Sequence, residues 1–236
     1  KYGADWTHSY VFKPLAVVRP ADTKQVSDVV KLANAEKIAI VPMGGNTGLA
    51  GGTHAQGALV LSLERLNTIR EVRTSSRIAV VEAGVVLDSL HRAVDENDLI
   101  FPITFGARGS AMLGGMLSTN AGGSNVLRYG NTRDLCLGLE VVLPSGEIMD
   151  LMSELHKDNS GYDLRHLMIG AEGTLGIITA AVLKLQPKPN AYATAMVATR
   201  SLEEALLLLN SVQMATGGAV QAFEYMPEKY LKKYFE

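Results

Sequence analysis

Clustered glycines constrain this chain more than any other feature of its sequence. Of its 23 glycines, six lie at 44–57, seven at 106–130 and four at 161–176. Collagen repeats its glycines periodically and flexible linkers scatter them, whereas these are confined to three stretches. Backbone without Cβ atoms can approach a ligand or another segment closely. The clusters therefore predict three loops shaped around something that they bind or enclose.

The composition is that of a globular protein. Apolar residues make up 47% and charged residues 19% of the 236 positions, which favours a chain with a hydrophobic core. The net charge of −2 lacks the cationic excess of a nucleic-acid binder. No apolar run approaches the roughly 20 residues of a membrane span. The single cysteine fits a reducing compartment. We therefore expect no nucleic-acid partner, no transmembrane segment, and a location in the cytoplasm, or in the mitochondrial matrix of a eukaryote.

Short apolar segments alternate with helical patterns along the chain. A capping box from Asp22 to Gln25, followed by apolar residues at helical spacing, predicts a helix that lies on a sheet. Further helices are predicted over 86–96 and after Ser201. The predicted strands are rich in Val and Ile and are bounded by Pro, Gly or charge; they are 15–18, 38–41, 58–61, 78–81, 138–143, 148–151, 175–185 and 192–199.

The polar, proline-containing stretch at 186–190 predicts a domain boundary. We expect one domain over 1–187, with subdomains of about 1–72 and 73–187. A strand, a helix and one more apolar segment cannot form a core alone. Residues 190–236 are therefore expected to begin an incomplete second domain.

The first glycine cluster, Pro42 to Gly52, directly follows a predicted strand. Successive small residues let neighbouring backbone N–H groups point inward and hold a phosphate oxygen, and Asn46 and Thr47 add side-chain donors. No Lys, Arg, Asp or Glu occurs over 42–57. An anion in this loop is therefore expected to be held by backbone dipoles and neutral donors. A simple glycine turn is the alternative, which six glycines in fourteen residues disfavour.

The second and third clusters are weaker signals when each is read alone. Residues 110–125 also lack charge and are rich in hydroxyl and amide groups. A short helix beginning there would present its N-terminus to a phosphate. The third cluster, at 169–178, leads into an apolar strand. A packed turn is the alternative for both clusters.

Motifs of several other functional classes are absent from the sequence. There is no Gly-x-Gly and no Gly-Lys pair, which excludes the Rossmann and Walker A fingerprints. There is also no Gly-x-Ser-x-Gly elbow and no histidine pair at metal-ligand spacing. Cys136 is expected to be a buried, inert thiol. Arg133, Asp163 and Arg165 are expected to be ordinary surface charges.

Six segments, read together, resemble the PCMH-type FAD-binding domain of the vanillyl-alcohol oxidase / p-cresol methylhydroxylase flavoproteins. They occur in the order of that family over about residues 11–187, and they are VVRPADTKQVSDVVKLA, VPMGGNTGLAGG, FPITFGARGSAMLGGMLSTNAGG, LRYGNTRD, LGLEVVLPSGEIMD and KDNSGYDLRHLMIGAEGTLGIIT. The resemblance is closest to the branch of D-lactate, D-2-hydroxyglutarate and glycolate dehydrogenases. It implies an α+β fold in which two α+β subdomains hold FAD between them, followed by the beginning of an α/β cap domain.

The resemblance also implies which residues bind the cofactor. In the family the first loop wraps the FAD pyrophosphate, the second lines the flavin and ribityl part, and the third contacts FAD again. The implied cofactor-binding residues are Pro42, Met43, Gly44, Gly45, Asn46, Thr47, Gly48, Leu49, Pro102, Gly109, Ser110, Gly114, Gly115, Ser118, Thr119, Asn120, Gly122, Gly123, Glu172, Gly173, Gly176, Ile177 and Ile178.

Two positions depart from the family pattern. Members that attach FAD covalently often carry His in the first loop, where this chain has Gly44, Gly45 and Asn46, so we expect non-covalent FAD. Many close relatives have Asn after the paired glycines of the second cluster, where this chain has Met116. One cofactor contact of the family therefore has no counterpart here.

The resemblance leaves two functions open. The first is FAD-dependent oxidation of a D-2-hydroxy acid, such as D-lactate, D-2-hydroxyglutarate or glycolate, to the 2-oxo acid. Its electrons would pass to a quinone, a cytochrome or an electron-transfer flavoprotein, and a homodimer is one assembly that the resemblance allows. The second is a non-catalytic FAD-binding subunit of a glycolate-oxidase-like complex. A phosphate-binding or structural domain without flavin is a third hypothesis, which the joint resemblance disfavours.

The resemblance also places the catalytic groups elsewhere. In the family a C-terminal half supplies the substrate pocket, a catalytic histidine and the His and Glu ligands of a metal. No counterpart of that half is present in these 236 residues, so no catalytic residue and no metal ligand is expected among them. We therefore expect the chain to be the FAD-binding part of a longer enzyme.

Overall fold

Two separate sheets carry the fold of residues 2–235, the part of the chain that the computed structural model describes. The strands are β1 Ala16–Val18, β2 Ile40–Met43, β3 Leu59–Ser62, β4 Ile69–Arg73, β5 Ile78–Glu82, β6 Leu99–Ile100, β7 Cys136–Val142, β8 Ile148–Leu151, β9 Ile177–Lys184 and β10 Gln186–Pro187. The first sheet is parallel, in the order β1-β3-β2. The second is antiparallel, in the order β4-β5-β9-β7-β8, and β6 pairs separately with β10.

Capping side chains fix where two of the helices begin. The helices are α1 Thr23–Ala35, α2 Leu87–Asp95, α3 Leu113–Ser118, α4 Val126–Tyr129, α5 Arg165–Met168, α6 Leu202–Ala215 and α7 Glu228–Phe235, with a 3-10 helix at Thr132–Leu135. Asp22 accepts a hydrogen bond of 2.7 Å from the Gln25 N–H, and Ser201 accepts one of 3.2 Å from the Glu204 N–H. Each cap satisfies an N–H that the first helical turn leaves unpaired. Within residues 2–235 no helix has the length and hydropathy needed to cross a membrane.

Helix α1 joins the two sheets into one body. The main core lies between the five-stranded sheet and helices α2 and α3, where Leu90 and Leu139 are fully buried. A second cluster packs Val26 of α1 against Leu61 of β3 and Val142 of β7. Each such aliphatic side chain contributes about 1.5–3 kcal/mol of burial free energy. The α1 contacts therefore fix one subdomain against the other.

The predicted α+β architecture is confirmed, with three corrections to its elements. The strand predicted at 192–199 is wrong: these residues are irregular and almost all exposed, and no strand of the described chain pairs with them. Backbone N–H and C=O groups need a neighbouring strand to form a ladder. Strand β4 was not predicted, because three of its five residues are charged. Since β4 pairs with β5, the sheets change between Ser62 and Ile69, slightly before the boundary expected at about 72.

Candidate functional site

The three glycine loops meet at one place in the structure. Gly45 of the first loop packs on the second, since a Cβ there would lie 2.1 Å from the Ser110 carbonyl oxygen. A Cβ on Gly173 of the third loop would come within 2.6 Å of the proline that opens the first. The third loop also reaches the second, because the Glu172 N–H donates to the Ser118 carbonyl at 2.8 Å. Segments far apart in sequence thus form a single site.

The parallel sheet sets the position of the first loop. The loop leaves β2 at its carboxyl end, the end at which α/β sheets bind ligands. Met43, the last residue of β2, pairs with Ser62 of β3. The Ser62 side chain is 1% exposed, and its hydroxyl has no hydrogen-bond partner in the described chain. An orphaned buried hydroxyl costs roughly 1–3 kcal/mol, and its burial keeps this one out of direct contact with a ligand in the loop.

A run of unpaired backbone N–H groups follows that strand end. Among residues 2–235, the six N–H groups from Gly44 to Leu49 find no acceptor, and neither does the Gly115 N–H in α3. A Cβ on Gly44 would lie 3.7 Å from that Gly115 nitrogen. Consecutive unpaired N–H groups form a concavity that binds anions through backbone dipoles. The arrangement suits a phosphate group held without a counter-cation.

The glycines of the site fall into two groups, according to what a Cβ would meet. At Gly45 and Gly123 it would lie 2.1 and 2.3 Å from carbonyl oxygens of neighbouring segments, so these glycines allow the loops to pack. At Gly48, Gly109 and Gly115 it would meet no heavy atom within 4 Å. The second group leaves open space in which a ligand can reach the backbone.

Asn46 is held by protein groups on both sides of its amide. Its φ of 54° lies in the left-handed region, which Asn tolerates. Its Nδ2 donates to the Ala4 carbonyl at 2.9 Å, and its Oδ1 accepts from the Thr53 hydroxyl at 2.7 Å. One hydrogen of Nδ2 is thus used within the protein, and the second remains free to donate, as does the backbone N–H. That the Asn46 side chain donates to the ligand stays a prediction.

Helix α3 has fewer unpaired N–H groups at its N-terminus than the sequence predicts. The Leu113 N–H donates to the Val85 carbonyl at 3.0 Å, and the Gly114 N–H donates to the Ala83 carbonyl at 2.7 Å. These bonds fix the second loop on β5 and the turn that follows it. Of the first three N–H groups of the helix, the Gly115 N–H alone is unpaired within the described chain.

Burial divides the candidate cofactor-binding residues. Those placed in the interior are Met43, Pro102, Gly114, Ile177 and Ile178. Those placed at half-buried or exposed positions are Pro42, Gly44, Gly45, Asn46, Thr47, Gly48, Leu49, Gly109, Ser110, Gly115, Ser118, Thr119, Asn120, Gly122, Gly123, Glu172, Gly173 and Gly176. Met116, which stands where close relatives of the family have Asn, is also buried and packs in the main core. The interior residues can act only through packing, whereas the outer ones are accessible to a ligand.

An open cleft of about 240 Å³ adjoins the first and third loops. One wall comes from α1 and β2, and the other comes from the end of β7 and the third loop. Apolar side chains such as Val30, Ile40 and Ile177 line it, together with Pro42 and Gly173. A cleft that offers both apolar and polar surface beside unpaired N–H groups suits a heteroaromatic ring attached to a phosphate.

Sequence reasoning missed two arginines that hold the third loop. Arg133 donates to the carbonyl of His166 at 2.6 Å and to that of Ile169. Arg165 donates to the first carbonyl of β7 at 3.2 Å and pairs with Asp163, whose pKa it lowers. The expectation that these arginines are ordinary surface charges is therefore wrong. Their partners are mostly backbone carbonyls, which leave no residue pattern in a sequence.

Burial shifts the pKa of two titratable side chains, Cys136 and His91. Cys136 is buried, as predicted, and burial raises the pKa of its thiol to about 12. The Nε2 atom of His91 lies 3.1 Å from the Phe101 carbonyl oxygen and 3.0 Å from that of Ile103, and burial lowers its pKa. In the described part of the chain, no three His, Cys, Asp or Glu residues group as a metal site requires.

Known proteins resemble this chain over nearly its whole length. A D-2-hydroxyglutarate dehydrogenase of Xanthomonas citri pv. viticola is 44% identical over 232 residues, which cover 98% of this chain and 49% of that protein. The mitochondrial D-2-hydroxyglutarate dehydrogenase of Bos taurus is 38% identical over 229 residues, covering 97% and 42%. The chain thus spans about half the length of the curated relatives that it matches.

Structure and family comparisons agree with these relatives. A solved alkyldihydroxyacetonephosphate synthase superposes with a TM-score of 0.67 and 26% identity, over 74% of this chain and 32% of that one. The family described as "FAD binding domain" matches residues 14–152, more than half of the chain. The matched residues include the first two glycine loops and the unpaired N–H groups. The chain therefore belongs to the FAD binding domain family, in its PCMH-type branch, and its cofactor is FAD.

Proposed function

We propose that the chain is the FAD-binding portion of an oxidoreductase that converts a D-2-hydroxy acid to the 2-oxo acid. The observation that carries the proposal is the convergence of three glycine loops on one cluster of unpaired N–H groups. The names of the most similar relatives favour D-2-hydroxyglutarate over D-lactate or glycolate as the substrate. Bound FAD supplies the hydride acceptor for such an oxidation.

The pyrophosphate of FAD is assigned to the first loop. The N–H groups from Gly44 to Leu49, together with that of Gly115, supply donors for its oxygens. We assign the adenine ring to the neighbouring cleft, between α1 and the end of β7. The flavin is assigned to the second loop, where Gly109 leaves its backbone open. In this arrangement the chain binds and orients the cofactor and holds the loops around it.

We infer that FAD is bound without a covalent bond. Pro42 to Leu49 contains no His, Cys or Tyr that could attach a flavin. His54 follows later and is held against the Phe12 ring, with 5.3 Å between ring centroids. The buried Cys136 is a poor nucleophile, because its raised pKa keeps it a thiol.

An absorption spectrum of the purified protein tests the cofactor assignment. We expect flavin bands near 375 and 450 nm, and we expect the colour to move into the supernatant after acid precipitation. A protein that shows no flavin absorbance, even after incubation with FAD, would contradict the proposed function. Colour that stays with the precipitate would contradict non-covalent binding alone.

Anaerobic reduction separates the enzyme from the non-catalytic subunit. In the full-length protein we expect D-2-hydroxyglutarate to bleach the flavin, with L-2-hydroxyglutarate as the control that leaves it oxidised. The rates at which D-lactate and glycolate reduce the flavin, measured alongside, show which hydroxy acid is the preferred substrate. If no hydroxy acid reduces a flavin that dithionite can reduce, the FAD-binding subunit of a larger complex becomes the better assignment.

The proposed reaction also needs an acceptor for its electrons. A quinone, a cytochrome and an electron-transfer flavoprotein are the classes expected. Mixing the reduced full-length protein with one of each, without oxygen, tests them. We expect one class to reoxidise the flavin much faster than the other two.

A further inference from the structure

The first glycine loop has a neighbour outside the other two loops. Residues 2–12 form a hairpin, which we call the N-terminal hairpin, with an antiparallel bridge between Ala4 and Val11. The Phe12 N–H donates to the Gly3 carbonyl at 2.9 Å. The hairpin lies before residue 14, where the match to the FAD binding domain family begins. The family match therefore says nothing of what this segment does.

A buried carboxylate builds the turn of the N-terminal hairpin. Asp5 is 2% exposed and accepts hydrogen bonds from the Thr7 hydroxyl at 2.5 Å and from the Tyr10 N–H at 3.0 Å. The bond from Thr7, with smaller help from the backbone N–H of Tyr10, lowers the pKa of Asp5. The Asp5 N–H in turn donates to the Tyr10 carbonyl at 3.1 Å. The hairpin is thus held in shape by its own residues.

The N-terminal hairpin contacts the first loop at two points. In the middle of the loop, the Asn46 amide donates to the Ala4 carbonyl at 2.9 Å. At the far end, the Tyr10 ring covers Gly51, since a Cβ on that glycine would lie 2.9 Å from the ring. The His54 ring lies 5.9 Å from the Tyr10 ring, centroid to centroid. The unpaired N–H groups of Thr47, Gly48 and Leu49 lie between these two contacts.

We propose that the N-terminal hairpin positions the first loop for the pyrophosphate of FAD. A loop of small, uncharged residues has many conformations of similar energy, and few of them turn its N–H groups toward one anion. Contacts at Asn46 and Gly51 select such a conformation before the cofactor arrives, which lowers the entropy lost on binding. Asn46 and Tyr10 are positioning residues in this scheme. The inference rests on the proposed function, because it concerns the same cofactor.

Three variants and one control test the hairpin. Asn46→Ala removes both amide hydrogen bonds and keeps the backbone N–H, while Asn46→Asp keeps the acceptor for Thr53 and the tolerance of a left-handed φ. Tyr10→Ala removes the ring over Gly51. Tyr225→Ala is the control, because that tyrosine is 45% exposed against 49% for Tyr10 and lies outside the hairpin and the loops.

Titration of the FAD-free protein gives the readout. We expect the dissociation constant of FAD to rise about tenfold in Asn46→Ala and in Tyr10→Ala, the scale of one lost hydrogen bond or packing contact. Asn46→Asp should recover part of the loss, and Tyr225→Ala should match the wild type. In competition titrations, the dissociation constant of ADP, which carries the pyrophosphate, should rise by the same factor as that of FAD. The dissociation constant of AMP should rise much less.

The outcomes separate this inference from the proposed function. Wild-type affinity for FAD in both Asn46→Ala and Tyr10→Ala would overturn the positioning role. So would an equal loss for AMP and ADP together with a lower unfolding temperature of the FAD-free protein, since that pattern marks general destabilisation. Tyr10→Ala, whose ring is half exposed, supplies the result if Asn46→Ala does not fold. Failure of the wild type to bind FAD would overturn the proposed function, and this inference with it.

Discussion

Two glycines of the same site are constrained for opposite reasons. Gly45 faces the Ser110 carbonyl oxygen so closely that a Cβ would lie 2.1 Å away, well inside van der Waals contact. Gly115 faces open space and carries an unpaired N–H. A count of glycines in the sequence cannot distinguish these situations. The first glycine is needed for packing between loops, and the second is needed for the approach of a ligand.

Alanine at each of these positions should separate stability from binding. Gly45→Ala forces the first loop away from the second, so we expect both a lower unfolding temperature and a loss of FAD. Gly115→Ala meets no atom within 4 Å and lies in α3, where Ala favours the helix over Gly by about 1 kcal/mol. We therefore expect unchanged or higher stability, with weaker FAD binding. Thermal unfolding without FAD and titration with FAD measure the two effects.

His91 should make the fold sensitive to mild acid. Burial lowers the pKa of this ring below its ordinary value of 6.5, against smaller opposing effects of the Phe101 and Ile103 carbonyls. The unfolded chain therefore binds a proton at a higher pH than the folded chain does. Stability conferred by the neutral ring is complete above about pH 6.5 and declines as the pH falls below that value. Urea unfolding between pH 7.5 and 5.5 should show the decline, and His91→Gln should reduce it.

At the scale of elements, α1 is bound to the β7–β8 hairpin along one face. The Thr23 hydroxyl donates to Glu140 at 2.6 Å, and the Ser27 hydroxyl donates to the Gly146 carbonyl at 2.5 Å. Further along, the Asn34 amide donates to the Pro144 carbonyl at 3.3 Å. This face of α1 and the turn of the hairpin border the cleft assigned to adenine. The polar contacts therefore help to set the width of the cleft.

Ser27→Ala tests the contribution of the hydrogen bonds between α1 and the β7–β8 hairpin. Ser27 and Gly146 are both buried, so the substitution leaves a buried carbonyl without its donor, at a cost of about 1–3 kcal/mol. The free energy of unfolding, measured in urea, should fall by that amount. Ser145→Ala, an exposed change in the same turn, should stay within about 0.5 kcal/mol of the wild type. Equal stability of the two variants would contradict the role given to Ser27.

Local patterns explain which elements could be predicted from the sequence. The beginning of α1 was predictable because the Asp22 cap and the spacing of the apolar residues in α1 act within one or two helical turns. The charged strand β4 was not predictable, because its place in the sheet depends on pairing with β5. The segment at 192–199 has a strand-like composition and no partner among residues 2–235. Sequence composition thus records what a segment can form, and pairing decides what it forms.

The site shows the same division between local and tertiary information. The glycine clusters and their lack of charge were visible in the sequence, and they located the loops. The hydrogen bonds of Arg133 to backbone carbonyls were not visible, nor was the bond from Asn46 to Ala4. Backbone partners carry no residue identity, so no motif can indicate them. The residues that hold the loops in place were therefore the ones the sequence could not reveal.

At the scale of the whole molecule, the cofactor loops and the last elements are packed very differently. All three loops lie before residue 187 and are joined by close backbone contacts. In α6, by contrast, Ala205 is the one buried residue, and Leu207 and Met214 are 67% and 85% exposed. The segment after α6 contacts the domain of the loops through a bond of 3.3 Å from the Gln221 amide to the Tyr129 hydroxyl. This contrast supports the domain boundary that the sequence predicts near residue 188.

Limited proteolysis tests whether the part before that boundary holds FAD by itself. Residues 191–200 are irregular and nearly all exposed, and Arg200 offers trypsin a site there, whereas Lys188 precedes proline. We expect the first cut at Arg200, with a product that keeps its flavin spectrum, because none of the proposed cofactor contacts lies beyond that residue. Release of flavin on this cut would place a cofactor contact after residue 200. A first cut at the exposed Arg128 would show that the segment around α4 opens more readily than the predicted boundary.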